Sequence, residues 1–319
     1  MLPRTGLAEA ARRGRSPSRY LELFRSAREQ LLSEGAVPDH VLLDTTWQVS
    51  LDQLQQDDAA AVQLLRHVAF LAADPFPVAV LADQEPTILP GPLHEVLADP
   101  VRRDRTLGAL HRYALVRRDG DSIRMHRLVQ AAVRRSLPPP ERATVEGTVL
   151  RLLQAALPVD ILHQPDAWPR WRQLLPHVLP GAERPDPVEP SATSWLLDRA
   201  GTYLQSRGEP AAARPLLARA LTIDEAAYGP EHPAVATSLG NLALVLRDLG
   251  EPAAARPLLE RALSIHEAAY GPEHPTVPAL RRLLRVVQAP GRSTRRRFRP
   301  AHDVADGPRA RQARHGASK

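Results

Sequence analysis

GEPAAARPLLARALTIDEAAYGPEHP, residues 208–233, returns as GEPAAARPLLERALSIHEAAYGPEHP at residues 250–275, a period of 42 residues. Only Ala218/Glu260, Thr222/Ser264 and Asp224/His266 differ between the two copies. A phrase that recurs at a fixed period of about 20–50 residues marks a chain of stacked units, each covering its neighbour's apolar face. Every period predicts two helices. Within 234–249, Leu239, Leu242, Ala243 and Leu246 fall at i, i+3, i+4 and i+7, the stripe of a half-buried helix. Gly250-Glu251-Pro252 ends that helix and opens the next, because proline suits a first turn. A second stripe, through Ala255, Leu258, Leu259, Ala262, Leu263 and Ile265, runs to the closing GPEHP at 271–275. Small residues at Gly201/Ala243, Ala213/Ala255 and Ala220/Ala262 predict a close approach of the paired helices, with Leu217 and Leu259 filling between them.

The spacing of Leu239, Leu242, Ala243, Gly250, Ala255, Leu259 and Ala262 resembles the tetratricopeptide repeat. The period and the GPEHP turn are similar to the kinesin-light-chain variety of that repeat. The resemblance implies that the first helix of each unit lines a concave surface facing a bound peptide. By the 42-residue offset the facing positions are Trp195/Thr237, Asp198/Gly240, Arg199/Asn241, Thr202/Leu244 and Gln205/Arg247. Asn241 matches an asparagine that lines the groove in such repeats, where its amide can pair with a peptide's N–H and C=O together. The first unit has Arg199 at that position. Two units are few, so the array is expected to lean on what precedes it. The stretch from Thr276, with Leu280, Leu283, Leu284 and Val287, is expected to cap the other end.

The rest of the composition mostly excludes. The 319 residues allow two or three domains, and the absence of cysteine rules out disulfides and thiolate sites. No apolar run approaches the roughly 18–20 residues of a membrane span, and the N-terminus lacks a signal-peptide core. A cytoplasmic location without membrane attachment is therefore expected. The net charge of +6 belongs to the tail: from Ala289 onward there are nine basic residues against two acidic, and before it 33 against 34.

Ser18–Glu34 predicts an amphipathic helix, Thr45–Gln56 a second, and Asp57 the cap of a third that turns Val62, Leu65 and Ala69 inward. Short helices are expected over 78–82, 93–98 and 102–113. The period then changes: 114–118 and 122–126 flank Asp119-Gly120-Asp121 as a hairpin, followed by a helix over 127–136. A long helix over 141–157 and a helical bridge over 167–179 lead to a Pro-rich linker. The expected fold is thus mainly α: a helical bundle and a winged-helix-like domain, then a short tetratricopeptide α-solenoid. The expected divisions are a partial bundle at 1–73, the winged-helix-like domain at 74–137, and bridge and linker at 138–190. Repeats follow at 191–288, then a disordered basic tail at 289–319.

DTTWQVSL, LLRHVAFLA, LVRRDGDSIRMHRLVQAAVR and WPRWRQLLPHVL are similar to the segment behind the nucleotide-binding core of bacterial NB-ARC, STAND-class NTPases. SRYLELFR is similar to the bundle just after that core. In that family a winged helix joins the P-loop domain to a sensor array, often of these 42-residue repeats. Here no G-x-x-x-x-G-K-[ST] exists, and the single lysine is Lys319. Phosphoryl transfer has no machinery without it, so no enzyme and no cofactor is expected. The resemblance implies a stand-alone or truncated descendant. Met125-His126-Arg127 resembles the family's Met-His-Asp motif, whose histidine contacts diphosphate, with Arg127 in place of the acid. His126 is the weak cofactor candidate, and its alternative role is to pin the hairpin to the next helix.

Arg117, Arg118 and Arg124, with Arg127, Arg134 and Arg135, could face DNA, yet Asp119 and Asp121 lie at the hairpin tip and the body is neutral overall. That balance argues against a nucleic-acid partner. Glu231-His232 and Glu273-His274 read as turn residues rather than metal ligands. The leading expectation is a regulatory module that holds a protein or peptide partner and docks on a separate NTPase core. The alternative is a DNA-binding regulator with the repeats as sensor.

Overall fold

The computed structural model describes residues 51–288 except 90, 163 and 185. The predicted helix at 18–34, the first part of that at 45–56 and the basic tail lie outside the described residues. Residues 51–57 are helical, and α1 (Ala59–Val68) follows. Its cap is Asp58 rather than Asp57. Asp58 Oδ1 accepts from the Ala61 amide at 3.0 Å, while its Oδ2 takes the Thr106 hydroxyl at 2.8 Å. Asp57 instead accepts from the Tyr113 hydroxyl at 2.8 Å.

The next elements are β1 (Phe76–Pro77), α2 (Val78–Ala82), α3 (Gly91–Ala98) and α4 (Pro100–Arg112). Asp99 caps α4 through the amides of Val101 and Arg102, with Pro100 in the first turn. The predicted hairpin forms as β2 (Arg117–Asp119) and β3 (Ser122–Arg124). Its loop is two residues long, and Gly120 supplies the positive φ (56°) that so tight a reversal demands. β1 adds to the far side of β3, pairing Phe76 with Ile123, so the antiparallel order is β1-β3-β2. Two residues, one of them a proline, carry no alternating signal, which is why β1 is silent in the sequence. Phe76, Leu81, Leu93, Leu97, Leu110 and Ile123 close this core at 2% exposure or less.

α5 (Arg127–Ser136) and α6 (Pro139–Ala156) follow, then α7 (Trp168–Val178), flanked by short 3-10 turns at Pro165–Ala167 and Leu179–Glu183. α6 packs on α1 at one end and on the first repeat helix at the other. α7 fixes the joint through His177, whose Nδ1 accepts from the Ala72 amide at 3.2 Å and whose Nε2 donates to the Pro75 carbonyl at 3.3 Å. The ring meets Phe76 edge-on at 4.9 Å.

The repeats are α8 (Pro190–Ser206), α9 (Pro210–Tyr228), α10 (Pro233–Asp248) and α11 (Pro252–Tyr270), with α12 (Thr276–Gln288) after them. Each helix packs on the next. The GPEHP phrase is a helix-to-helix joint. Gly229 ends α9 at φ 86°, and His232 caps α10 through Nδ1, 3.2 Å from the Ala234 amide. The His232 ring stacks on Tyr228 at 4.7 Å, and Tyr270 with His274 repeats that stack at 4.6 Å. At the far end, α12 carries Arg281 and Arg285 where α10 carries the fully buried Leu239 and Ala243. Both arginines are exposed, so the face that would receive another helix is charged, as in a terminal cap.

Three histidines set the response to acid. Burial holds His67 below its ordinary range, against the opposing effect of its Nδ1–H bond to the Gln63 carbonyl at 2.7 Å. Burial likewise lowers His177, and it lowers His266 together with the nearby His274. An imidazole whose folded pKa is depressed contributes fully above the unfolded value of about 6.5, and its contribution falls as the unfolded chain takes up protons below it. The urea midpoint is therefore expected to drop from pH 7.5 to 5, and the triple variant His67→Gln/His177→Gln/His266→Gln to show a flatter profile.

Candidate functional site

The ten predicted groove positions lie on α8 and α10, five on each, organised by two carboxylates. Asp198 is buried at 6% exposure and receives the Asn241 amide at Oδ1 (2.7 Å). Its Oδ2 takes Arg199 Nε and Nη2 at 3.0 and 2.5 Å. Adjacent helix residues do not face each other, so Arg199 has to fold back along its own turn to reach. Asp248 is the second node. Gln205 donates to its Oδ2 at 2.7 Å, and Arg247 Nε and Nη2 reach its Oδ1 at 3.0 and 2.7 Å. Two α8-to-α10 bonds, one from each unit, thus lock the first helices side by side, and charge-assisted hydrogen bonds of this kind are the stronger class.

The remaining positions differ in character. Thr202 is buried and returns its hydroxyl to the Asp198 carbonyl at 2.9 Å. Thr237 is exposed, with its hydroxyl on the Pro233 carbonyl at 3.3 Å. Trp195 is half-buried against the core, and Leu244 is half-buried. On α12 the corresponding positions bring Leu283, half-buried, and Val286, 57% exposed. The surface is therefore polar between α8 and α10, while on α12 it combines Leu283 and Val286 with the exposed Arg282. Asn241 spends one amide hydrogen inside the fold, on Asp198, and its side-chain carbonyl oxygen is an acceptor.

Sequence spacing did not reveal Asp248, nor the polar node beneath the groove. There Asp224 of α9, 4% exposed, accepts from Ser194 of α8 and from Ser238 of α10, the latter at 2.6 Å. One signal was available: Asp224 is among the three positions at which the copies differ. Its counterpart by the 42-residue offset is His266, with Ala236 and Leu280 at the positions of the two serines, and the His266 Nδ1 is buried with no hydrogen-bond partner.

His126 is exposed and caps α5, its Nδ1 accepting from the Leu128 amide at 3.3 Å. It links hairpin to helix by capping rather than by burial. Arg134 turns inward to the Ala69 carbonyl at 2.8 Å, and Arg118 pairs with Asp104 at 2.5 Å. Among the described residues no cluster of three or more His, Asp or Glu could hold a metal ion, and no helix is long and apolar enough to cross a membrane.

Comparison with known families gives two matches. The tetratricopeptide repeat family matches residues 191–268 and again 240–294. A domain of unknown function, DUF7779, matches residues 50–142, the stretch that holds the helix–hairpin core. No curated protein matches the chain. Tetratricopeptide repeats are thus present in the C-terminal part of this mainly helical chain, a repeat class that suggests protein–protein interaction.

Proposed function

We propose that this chain is a non-catalytic regulatory module of the cytoplasm whose α8–α10–α12 face holds an extended segment of a protein partner. The observation that carries this reading is the pair of carboxylate nodes, Asp198 and Asp248, which fix the groove-lining helices in place before any partner arrives. A preorganised surface spends less of its binding energy on ordering side chains. Lysine is absent before residue 319, which supports a module working without nucleotide of its own.

The 74–137 segment is read as a winged-helix-like domain left from an NB-ARC-type ancestor, with 138–190 the bridge. What supports it is the β2–β3 hairpin between α4 and α5, with β1 from before α2 added to give the strand order β1-β3-β2. In this reading the N-terminal half docks on a separate NTPase core while residues 191–288 grip the partner.

Photo-crosslinkers placed in turn at Thr237, Leu244, Ala212 and Ala254 test the groove. The same partner is expected to be captured from Thr237 and Leu244, and not from Ala212 and Ala254, which are exposed on the second helices. Equal capture from all four positions contradicts the reading. Calorimetric titration with Mg-ATP is expected to show no binding, and a saturable heat would oppose the non-enzymatic assignment.

A further inference from the structure

We propose that α4 and the β2–β3 hairpin form a docking face for duplex nucleic acid, engaging its phosphates without reading its sequence. Residues 100–127 carry eight arginines against three aspartates, whereas the chain before Ala289 has 33 basic and 34 acidic residues in all. Residues 100–127 thus hold a local excess of positive charge within a body that is near neutral. Two of its three aspartates are already engaged, Asp104 by Arg118 and Asp119 by Arg124 at 3.4 Å. Among the described residues, Arg102, Arg105, Arg112, Arg117 and Arg127 are exposed and have no ion-pair partner. Asp57 and Asp58 lie across an open cleft of about 400 Å³ from Arg105 and Arg112, held by Tyr113 and by Thr106.

Arg117 stands directly opposite Arg124 across the ladder, on one face of the hairpin. Like charges so placed work against the hairpin, and an anion between them would turn the repulsion into attraction. Arg102, Arg105 and Arg112 lie on one side of α4, spanning about 15 Å of helix at 1.5 Å per residue. The Arg118–Asp104 pair clips β2 beside the first half of that helix. A helix whose unpaired exposed charges are all cationic is of the width that a major groove admits, and the hairpin pair extends the same rail of charge to a neighbouring strand of phosphates. A folded acidic protein offers scattered carboxylates rather than such a rail.

The test uses full-length chain in which Arg292, Arg295, Arg296, Arg297 and Arg299 are changed to Ser, so that the tail cannot supply the signal. Fluorescence anisotropy with a labelled duplex is expected to show binding that weakens with salt. The variant Arg102→Ser/Arg105→Ser/Arg112→Ser/Arg117→Ser is expected to bind at least ~10-fold more weakly, with a log–log salt slope shallower by about 4. Arg172→Ser/Arg282→Ser, which removes exposed unpaired arginines elsewhere, is expected to change affinity less than about twofold. Arg117→Glu separates binding from folding: it places opposite charges across the ladder, so it should bind more weakly while melting no lower than the parent. No duplex binding by the parent overturns the proposal. So does an equal loss per arginine in the control variant, or displacement of the duplex by polyglutamate as readily as by unlabelled duplex.

Discussion

Replacement of Trp171 by Ala is expected to cost about 3–5 kcal/mol of unfolding free energy, the range for deleting a buried aromatic core side chain. Trp171 is fully buried and stacks on Tyr203, also fully buried, with ring centroids 5.8 Å apart. Its indole N–H donates to the carbonyl of the half-buried Pro158 at 3.1 Å, a bond that the deletion also removes. Trp168 meets the same tyrosine edge-on at 6.1 Å. The cluster is where α7 closes the N-terminal end of the repeat array, and two 42-residue units have few other neighbours to lean on. Urea unfolding followed by helical circular dichroism measures the cost, and a loss under about 1 kcal/mol would show that the array stands without this joint. Hydrogen exchange should show protection falling in α8 and α9 as well as in α7, because the stack spans the seam.

The second large effect is expected at Asp224. Asp224→Ala leaves the hydroxyls of Ser194 and Ser238 buried without their acceptor, at about 1–3 kcal/mol for each unsatisfied group. A total of about 2–4 kcal/mol follows, since the helices can relax in part. The triple variant Ser194→Ala/Asp224→His/Ser238→Leu carries the residues that the second unit already places at Ala236, His266 and Leu280. It is expected to unfold at higher urea than Asp224→Ala, because removing all members of a buried polar node costs less than removing one. Equal midpoints for the two variants would mean that the node is not a cooperative unit.

These sites differ in how far they could be read without coordinates. The second helices of the repeats, their turns and their close-approach positions were legible because a 26-residue phrase recurs at a 42-residue period and gives each local cue twice. Gly201 is the clearest case, since a Cβ there would stand 2.5 Å from Leu217 Cγ. The groove residues were also named by offset alone. That offset says which residues share a face, and nothing about which carboxylate a guanidinium will choose. Arg199 turning back to Asp198, and Gln205 crossing to Asp248, depend on distances between helices. The DNA-facing candidates show the same limit. Arg134 looked outward in the sequence and points inward to Ala69, while the unpaired arginines of α4 were lost in a charge sum that came to nearly zero.

Sequence alone therefore determined the mainly helical character, the repeat unit and the hairpin, because periodicity, capping residues and turn glycines act within one or two turns of chain. Only the tertiary structure decided the third strand at Phe76–Pro77, the Trp171–Tyr203 joint and the partners of each buried charge. Those contacts join residues tens of positions apart, and burial and pairing across such gaps exist only once the helices have packed.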